Sequence, residues 1–261
     1  MHGAENRHSK AAVPVLVEPG GTCYDGTIGW STLHEEAIPL KIENNILKHY
    51  LRNVYFITGT AYAGKSTMVK MLAERYDMVF CGENYYIPVS DAVATPDVQP
   101  DLCYRKNLTD WKDFVTRSPE EYERWIYNSG KEGAEFEVAE LISVSKNRKV
   151  IADTSIPIAM LKEISDYRHV AVMLSPQSMS VERFFDRSDP EKRFILNVIE
   201  SCEDSEAVMD NYKRGLARIN SQKHYDAYAK SGFFTVVRED NGKDTREEVC
   251  DALARHFGLM K

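Results

Sequence analysis

The sequence predicts an α/β fold, a three-layer, doubly wound, mostly parallel five-stranded sheet with a phosphate-binding loop and a helical lid. Three observations predict it. Five short segments rich in β-branched and aromatic residues recur along the chain, at 54–58, 78–81, 149–153, 169–174 and 233–237. Helical periodicity fills the intervals between them, and strands alternating with helices form a parallel sheet. The first strand runs into "GTAYAGKST", glycine-framed and followed directly by a helical pattern.

The elements follow in order. Residues 1–52 read as an N-terminal extension with little periodicity up to residue 41. Ile42, Ile46, Leu47 and Tyr50 then mark one helix face. The extension is a candidate to cover a sheet edge, to form a homodimer contact, or to be partly disordered. A single domain over 53–261 comes next. Val54 to Thr58 is a buried strand, and Val69, Leu72 and Ala73 give the following helix its apolar side. Met78 to Cys81 is a short second strand. Residues 84–147 form an insertion suited to binding an acceptor, loop-rich at first, with Pro88, Pro96 and Pro100. Ser118-Pro119-Glu120-Glu121 signals a helix start through a serine cap, proline at the first position and glutamate at the third. Asn128-Ser129-Gly130 and Gly133 are expected to break or bend that helix, with a second one through Phe136, Val138, Leu141 and Ile142. Lys149 to Asp153 is the third strand, with a helix starting at Ser155-Ile156-Pro157. His169 to Leu174 is the fourth. Met209, Tyr212, Leu216 and Ile219 then recur at helical spacing before the last strand, Phe233 to Val237, and a helix to Phe257.

Composition narrows the function. The 261 residues carry a net charge of −7, which argues against a broad nucleic-acid or membrane surface. Five scattered cysteines without a C-x-x-C pair fit a reducing compartment, and no apolar run reaches transmembrane length, so a cytoplasmic location is expected.

The chemistry concentrates in the G-x-x-x-x-G-K-[ST] pattern of a P-loop, from Gly59 through Thr60, Ala61, Tyr62, Ala63 and Gly64 to Lys65, Ser66 and Thr67. Glycines let the backbone wrap a phosphate with its N–H groups inward, and a helix start adds free N–H groups and a positive dipole end. Lys65 would reach the β- and γ-phosphates, and Ser66 would hold Mg²⁺. Ligands of such sheets bind beyond the carboxyl ends of the strands, where Glu83 follows the second strand and Asp153 ends the third. Asp153 suits a metal role, direct or through water, and also a helix cap. Glu83 suits a base. In "VERFFDRSDPEKRF", Arg183 and Arg187 fall one helical turn apart, and Asp189-Pro190 breaks the chain before Lys192 and Arg193. That pattern suits a cationic lid over 183–200. Tyr85, Tyr86, Tyr104, Arg105, Trp111, Arg117 and Trp125 lie where the chain would close over an acceptor.

On "GTAYAGKST", on Asp153 in "VIADTS" and on "MLSPQSMSVERFFDRSDPEKR", the chain resembles the P-loop nucleoside and nucleotide kinases, the adenylate-kinase-like group. The resemblance covers about residues 53–257. It implies ATP- and Mg²⁺-dependent phosphoryl transfer to a small molecule, a nucleoside or nucleotide first, an antibiotic or metabolite hydroxyl otherwise. It also implies that Glu83 is the base, although position alone leaves Glu83 and Asp153 both open. Two features depart from the group: Asp153-Thr154-Ser155-Ile156-Pro157 stands in place of D-G-x-P-R, and the N-terminal extension has no counterpart. A GTPase would need N-K-x-D and D-x-x-G, which do not occur where required. A noncatalytic nucleotide-binding regulatory or scaffold protein is the remaining alternative.

Overall fold

The structure is a computed structural model, and it describes residues 42–186, 190–239 and 241–260. The expected Arg187 site and most of the N-terminal extension lie outside the described residues.

The chain opens with α1 (Asn44–Tyr50), β1 (Val54–Gly59), α2 (Lys65–Arg75) and β2 (Val79–Cys81). The insertion holds α3 (Ile87–Val93), α4 (Pro100–Cys103), α5 (Lys112–Val115) and the long α6 (Pro119–Val144). Then come β3 (Val150–Asp153), α7 (Ile158–Ile164), β4 (Val170–Leu174), α8 (Gln177–Glu182) and α9 (Pro190–Glu200). α10 (Ser205–Ile219), α11 (Gln222–Ala229), β5 (Phe234–Val237) and α12 (Arg246–His256) complete it. All four strand pairings are parallel, in the order β2-β3-β1-β4-β5. The inner strands β1, β3 and β4 are covered on both faces and are correspondingly rich in apolar residues, whereas the edge strands β2 and β5 leave Phe80 and Val237 exposed. On one face Ile57, Ile151 and Met173 pack against Leu72 of α2 and Leu253 of α12. On the other, Phe56, Ala152 and Val170 pack against Leu141 of α6 and Leu161 of α7. No helix among the described residues is long and apolar enough to cross a membrane.

Three sequence expectations change. Leu51 is fully buried in the second of these clusters, so residues 42–52 belong to the domain rather than to the extension. Ile42, Ile46 and Tyr50, expected to be an apolar helix side, are exposed. The helix expected to break near residue 130 is continuous over 26 residues. Its Ser118 cap and Glu121 form the full reciprocal capping box. Gly133 serves packing instead of bending: a Cβ there would meet the Tyr86 Oη at 2.8 Å. The tyrosine crosses α6 at a residue without a side chain.

Gly59 is needed for a stricter reason. Its φ is +134°, and a Cβ would fall 1.9 Å from the Met173 carbonyl oxygen of β4, which already accepts from Thr60 N at 3.0 Å. Gly59→Ala therefore combines backbone strain with an overlap against sheet backbone, a loss on the order of 3 kcal/mol or more. For a chain of this size we expect Tm to fall by roughly 6 °C or more, or the protein not to fold. An unchanged melting curve would contradict the assigned loop geometry.

Candidate functional site

The site grows from the carboxyl edge of the sheet, where β1, β2 and β3 end side by side. Past Gly59 the loop turns through Tyr62 (φ +65°) and Gly64 (φ +90°) into α2, which begins at Lys65. The N–H groups of that first helical turn have no intrahelical partner and face the loop's concavity with the positive end of the helix dipole. Hydroxyls behind the loop hold it. Ser175 N donates to Thr60 Oγ1 at 2.8 Å, and Ser175 and Ser180 hydroxyls both donate to the Ala61 carbonyl, at 2.7 and 2.8 Å. Thr60 and Ala63 are buried, so these residues shape the loop from beneath. Lys65 Nζ donates to Thr60 O at 3.2 Å, which keeps the ammonium over the loop.

The fold joins Ser66 to Asp153 across 87 residues: Ser66 Oγ donates to Asp153 Oδ2 at 2.6 Å. Asp153 is 6% exposed, at the end of β3. Glu83 is exposed on the turn after β2, where Asn84 takes the left-handed conformation at φ +64°. A cavity of about 150 Å³ is lined by Gly59, Lys65, Glu83, Asp153 and Tyr228 of α11, among others.

Two larger cavities adjoin it. One, about 410 Å³, runs beside Gly64, Thr67 and Met68 and reaches Arg238 and Thr245 in the segment between β5 and α12. Arg238 donates to Tyr62 O at 2.8 Å and lies over the Tyr62 ring at 5.2 Å. The other, about 580 Å³, is walled by Trp111, Phe114, Tyr122, Trp125, Phe184 and Phe194. Glu83, Asn84, Tyr86 and Ser155 line both this cavity and the small one, which makes them the junction between the two. Trp125 is fixed by its indole N–H on Asp101 O at 2.8 Å. Arg117 braces the wall from behind, 4.4 Å from the Tyr104 and Phe114 rings and 4.9 Å from Trp125. Burial lowers the Arg117 pKa, and its Nη2 has no hydrogen-bond partner among the described residues, so aromatic faces stand in for acceptors.

The expected residues divide accordingly. Gly59, Lys65, Glu83 and Asp153 come together around one cavity, with Ser66 bonded to Asp153. α8 stops at Glu182 and Arg183 caps it; the Arg187 half of the expected arginine pair lies outside the described residues. Arg183 lines the cavity beside Gly64. Arg193 is exposed and lines none of these three cavities; Lys192, one residue earlier, lines the aromatic one. Of the expected aromatic region, Tyr86, Arg105, Trp111 and Trp125 line that cavity, whereas Tyr85 turns toward α6.

Glu137 of α6 was missed. It is 1% exposed and lines the small cavity. It accepts from Tyr85 Oη at 3.0 Å, Thr154 Oγ1 at 2.6 Å, and Ser155 N and Oγ at 3.2 and 2.5 Å. Burial raises its pKa, and these donors oppose the rise. The same burial, with the Glu137 charge beside it, pushes Tyr86 up to about 12. A signal existed: Glu137 shares a helical face with Ala134, Val138 and Leu141, all core residues, and a carboxylate there needs partners.

Comparison with family models, with characterised proteins and with solved structures found no match to this chain.

Proposed function

We propose that the protein is a small-molecule kinase that transfers the γ-phosphoryl group of ATP to a hydroxyl group. The observation that carries this reading is the Ser66–Asp153 hydrogen bond at 2.6 Å, whose carboxylate lines a cavity together with Lys65 and Glu83. A glycine-framed loop can hold phosphates, a hydroxyl and a carboxylate can share a hard cation, and a second carboxylate can take a proton. Ser66 and Asp153 offer oxygen donors only, a set that fits Mg²⁺, which uses one or two protein oxygens with phosphates and water. When bound, the ion would neutralise phosphate charge.

The chain's own residues have these roles in this reading. The backbone from Gly59 to Thr67 cradles the phosphates. Lys65 neutralises them. The cavity between Gly64 and Arg238 takes the nucleoside portion of ATP, with Arg183 at its wall. The acceptor lies in the aromatic cavity with its hydroxyl at the junction, where Glu83 receives the proton. A flat, largely apolar acceptor suits these walls, which keeps a nucleoside or nucleotide foremost. A screen of nucleosides, monophosphates and other alcohols, read by ADP release, tests the reading. Mg²⁺-dependent release above the rate in water supports it, and ATP binding without release for any acceptor returns the chain to the scaffold alternative.

The lid expectation takes a narrower form. Pro190, Lys192, Phe194 and Ile195 line the acceptor cavity, while Ile199 is fully buried. We expect hydrogen exchange in the first half of α9 to slow when a bisubstrate analogue binds, since closure excludes water. Amides around Ile199 should be protected in both states. Equal exchange in the first half at saturating analogue would count against closure.

A further inference from the structure

Ser155 is the exposed hydroxyl at the junction of the phosphate-side and aromatic cavities. Its Oγ donates to Glu137 Oε1 at 2.5 Å. Glu137 is in turn held on its other oxygen by Thr154 Oγ1 at 2.6 Å and Tyr85 Oη at 3.0 Å. A hydroxyl, a base within hydrogen-bond reach, and third groups that orient the base make up the arrangement that activates a serine nucleophile. Lys65 and Asp153 line the same cavity of about 150 Å³, so this pair faces the space where a terminal phosphate would sit. Two neighbouring aliphatic hydroxyls, on Thr154 and Ser66, are directed to other carboxylate oxygens. Thr154 is buried against Glu137, and Ser66 donates to Asp153.

We propose that Ser155 takes the γ-phosphoryl group of bound ATP when the acceptor cavity is empty, so that the chain phosphorylates itself. The proposal rests on the kinase reading above. The Ser155 Oγ forms a bond to the γ-phosphorus as its proton passes to Glu137 Oε1. The bond from that phosphorus to the β–γ bridging oxygen breaks, and its electron pair leaves with ADP. The products are phosphoserine, ADP and a protonated Glu137, which returns its proton to solvent. Burial favours the protonated carboxyl, which suits Glu137 to this step. The phosphoserine would occupy the junction that Glu83 also lines, and so would obstruct the acceptor.

The test incubates the full chain with Mg²⁺ and ATP, without acceptor, and follows phosphate incorporation by intact mass and peptide mapping. We expect one phosphate, on Ser155, in the unmodified sequence. Ser155→Ala should incorporate none; Ser155 is exposed, so this variant should fold. Ser155→Thr should restore incorporation on the new hydroxyl, and Glu137→Gln should slow it at least tenfold. Phosphate on another residue, or an unmodified Ser155 in protein that releases ADP, would overturn this proposal and leave the kinase reading intact. Protein that neither gains phosphate nor releases ADP with any acceptor would overturn both.

Discussion

Lys65→Ala should lower kcat at least a hundredfold while leaving the fold intact. Lys65 opens α2 and carries its ammonium over the loop, with Nζ on Thr60 O at 3.2 Å. That contact is to the loop itself, and the side chain is only part-buried, so its removal opens no core cavity. In the proposed reaction, what it removes is a positive charge beside the transferring group in a site partly shielded from water. Such a charge contributes several kcal/mol, and about 1.4 kcal/mol is a factor of ten in rate. Arg183 and Arg238 line the neighbouring cavity, not the small one, so neither substitutes for it. Steady-state turnover of purified Lys65→Ala, with its melting curve as control, checks this. Near-normal turnover would remove the phosphate-loop assignment.

Glu83→Gln should lower kcat by on the order of 10²–10⁴ with ATP binding nearly unchanged. Glu83 stands at the junction between the small cavity and the aromatic one, exposed to whatever hydroxyl enters. Glutamine keeps the shape and cannot take the proton. Asp153 cannot easily share the task, because one of its oxygens already accepts from Ser66. Asp153→Asn should instead raise the Mg²⁺ concentration needed for half-maximal rate, since a hard cation prefers charged oxygen. Metal titrations on the two variants separate these roles. A normal Glu83→Gln beside an impaired Asp153→Asn would transfer the base assignment to Asp153.

How far the sequence revealed this molecule depended on the range of the interactions involved. The inner strands β1, β3 and β4 were legible because each is buried on both faces, so its apolar run is local. The turn from β1 into α2 was legible because Gly59, Gly64, Lys65 and Ser66 fall within one short stretch. Gly133 misled, since a glycine in a helix signals either a break or a close crossing, and only the position of Tyr86, 47 residues earlier in the chain, decides between them. Helical spacing assumes that the helix continues, and α8 ends at Glu182, one residue before Arg183, which no periodicity in the sequence announced. Glu137 required knowing that α6 passes beside the turn after β3, a tertiary fact. Arg117 was expected near an acceptor and instead serves as a brace behind the aromatic wall, because its partners are ring faces and not acids.

If this site moves a phosphoryl group, the terminal phosphate of ATP must leave the nucleotide for another acceptor. ATP labelled at the γ-position would be incubated with the protein, Mg²⁺ and the acceptor panel, and the label traced to acceptor, protein, water or unreacted ATP. Mg²⁺-dependent transfer of label to one class of hydroxyl compound is expected, abolished by Lys65→Ala. Label that stays in ATP under every condition, although ATP is bound, would contradict it.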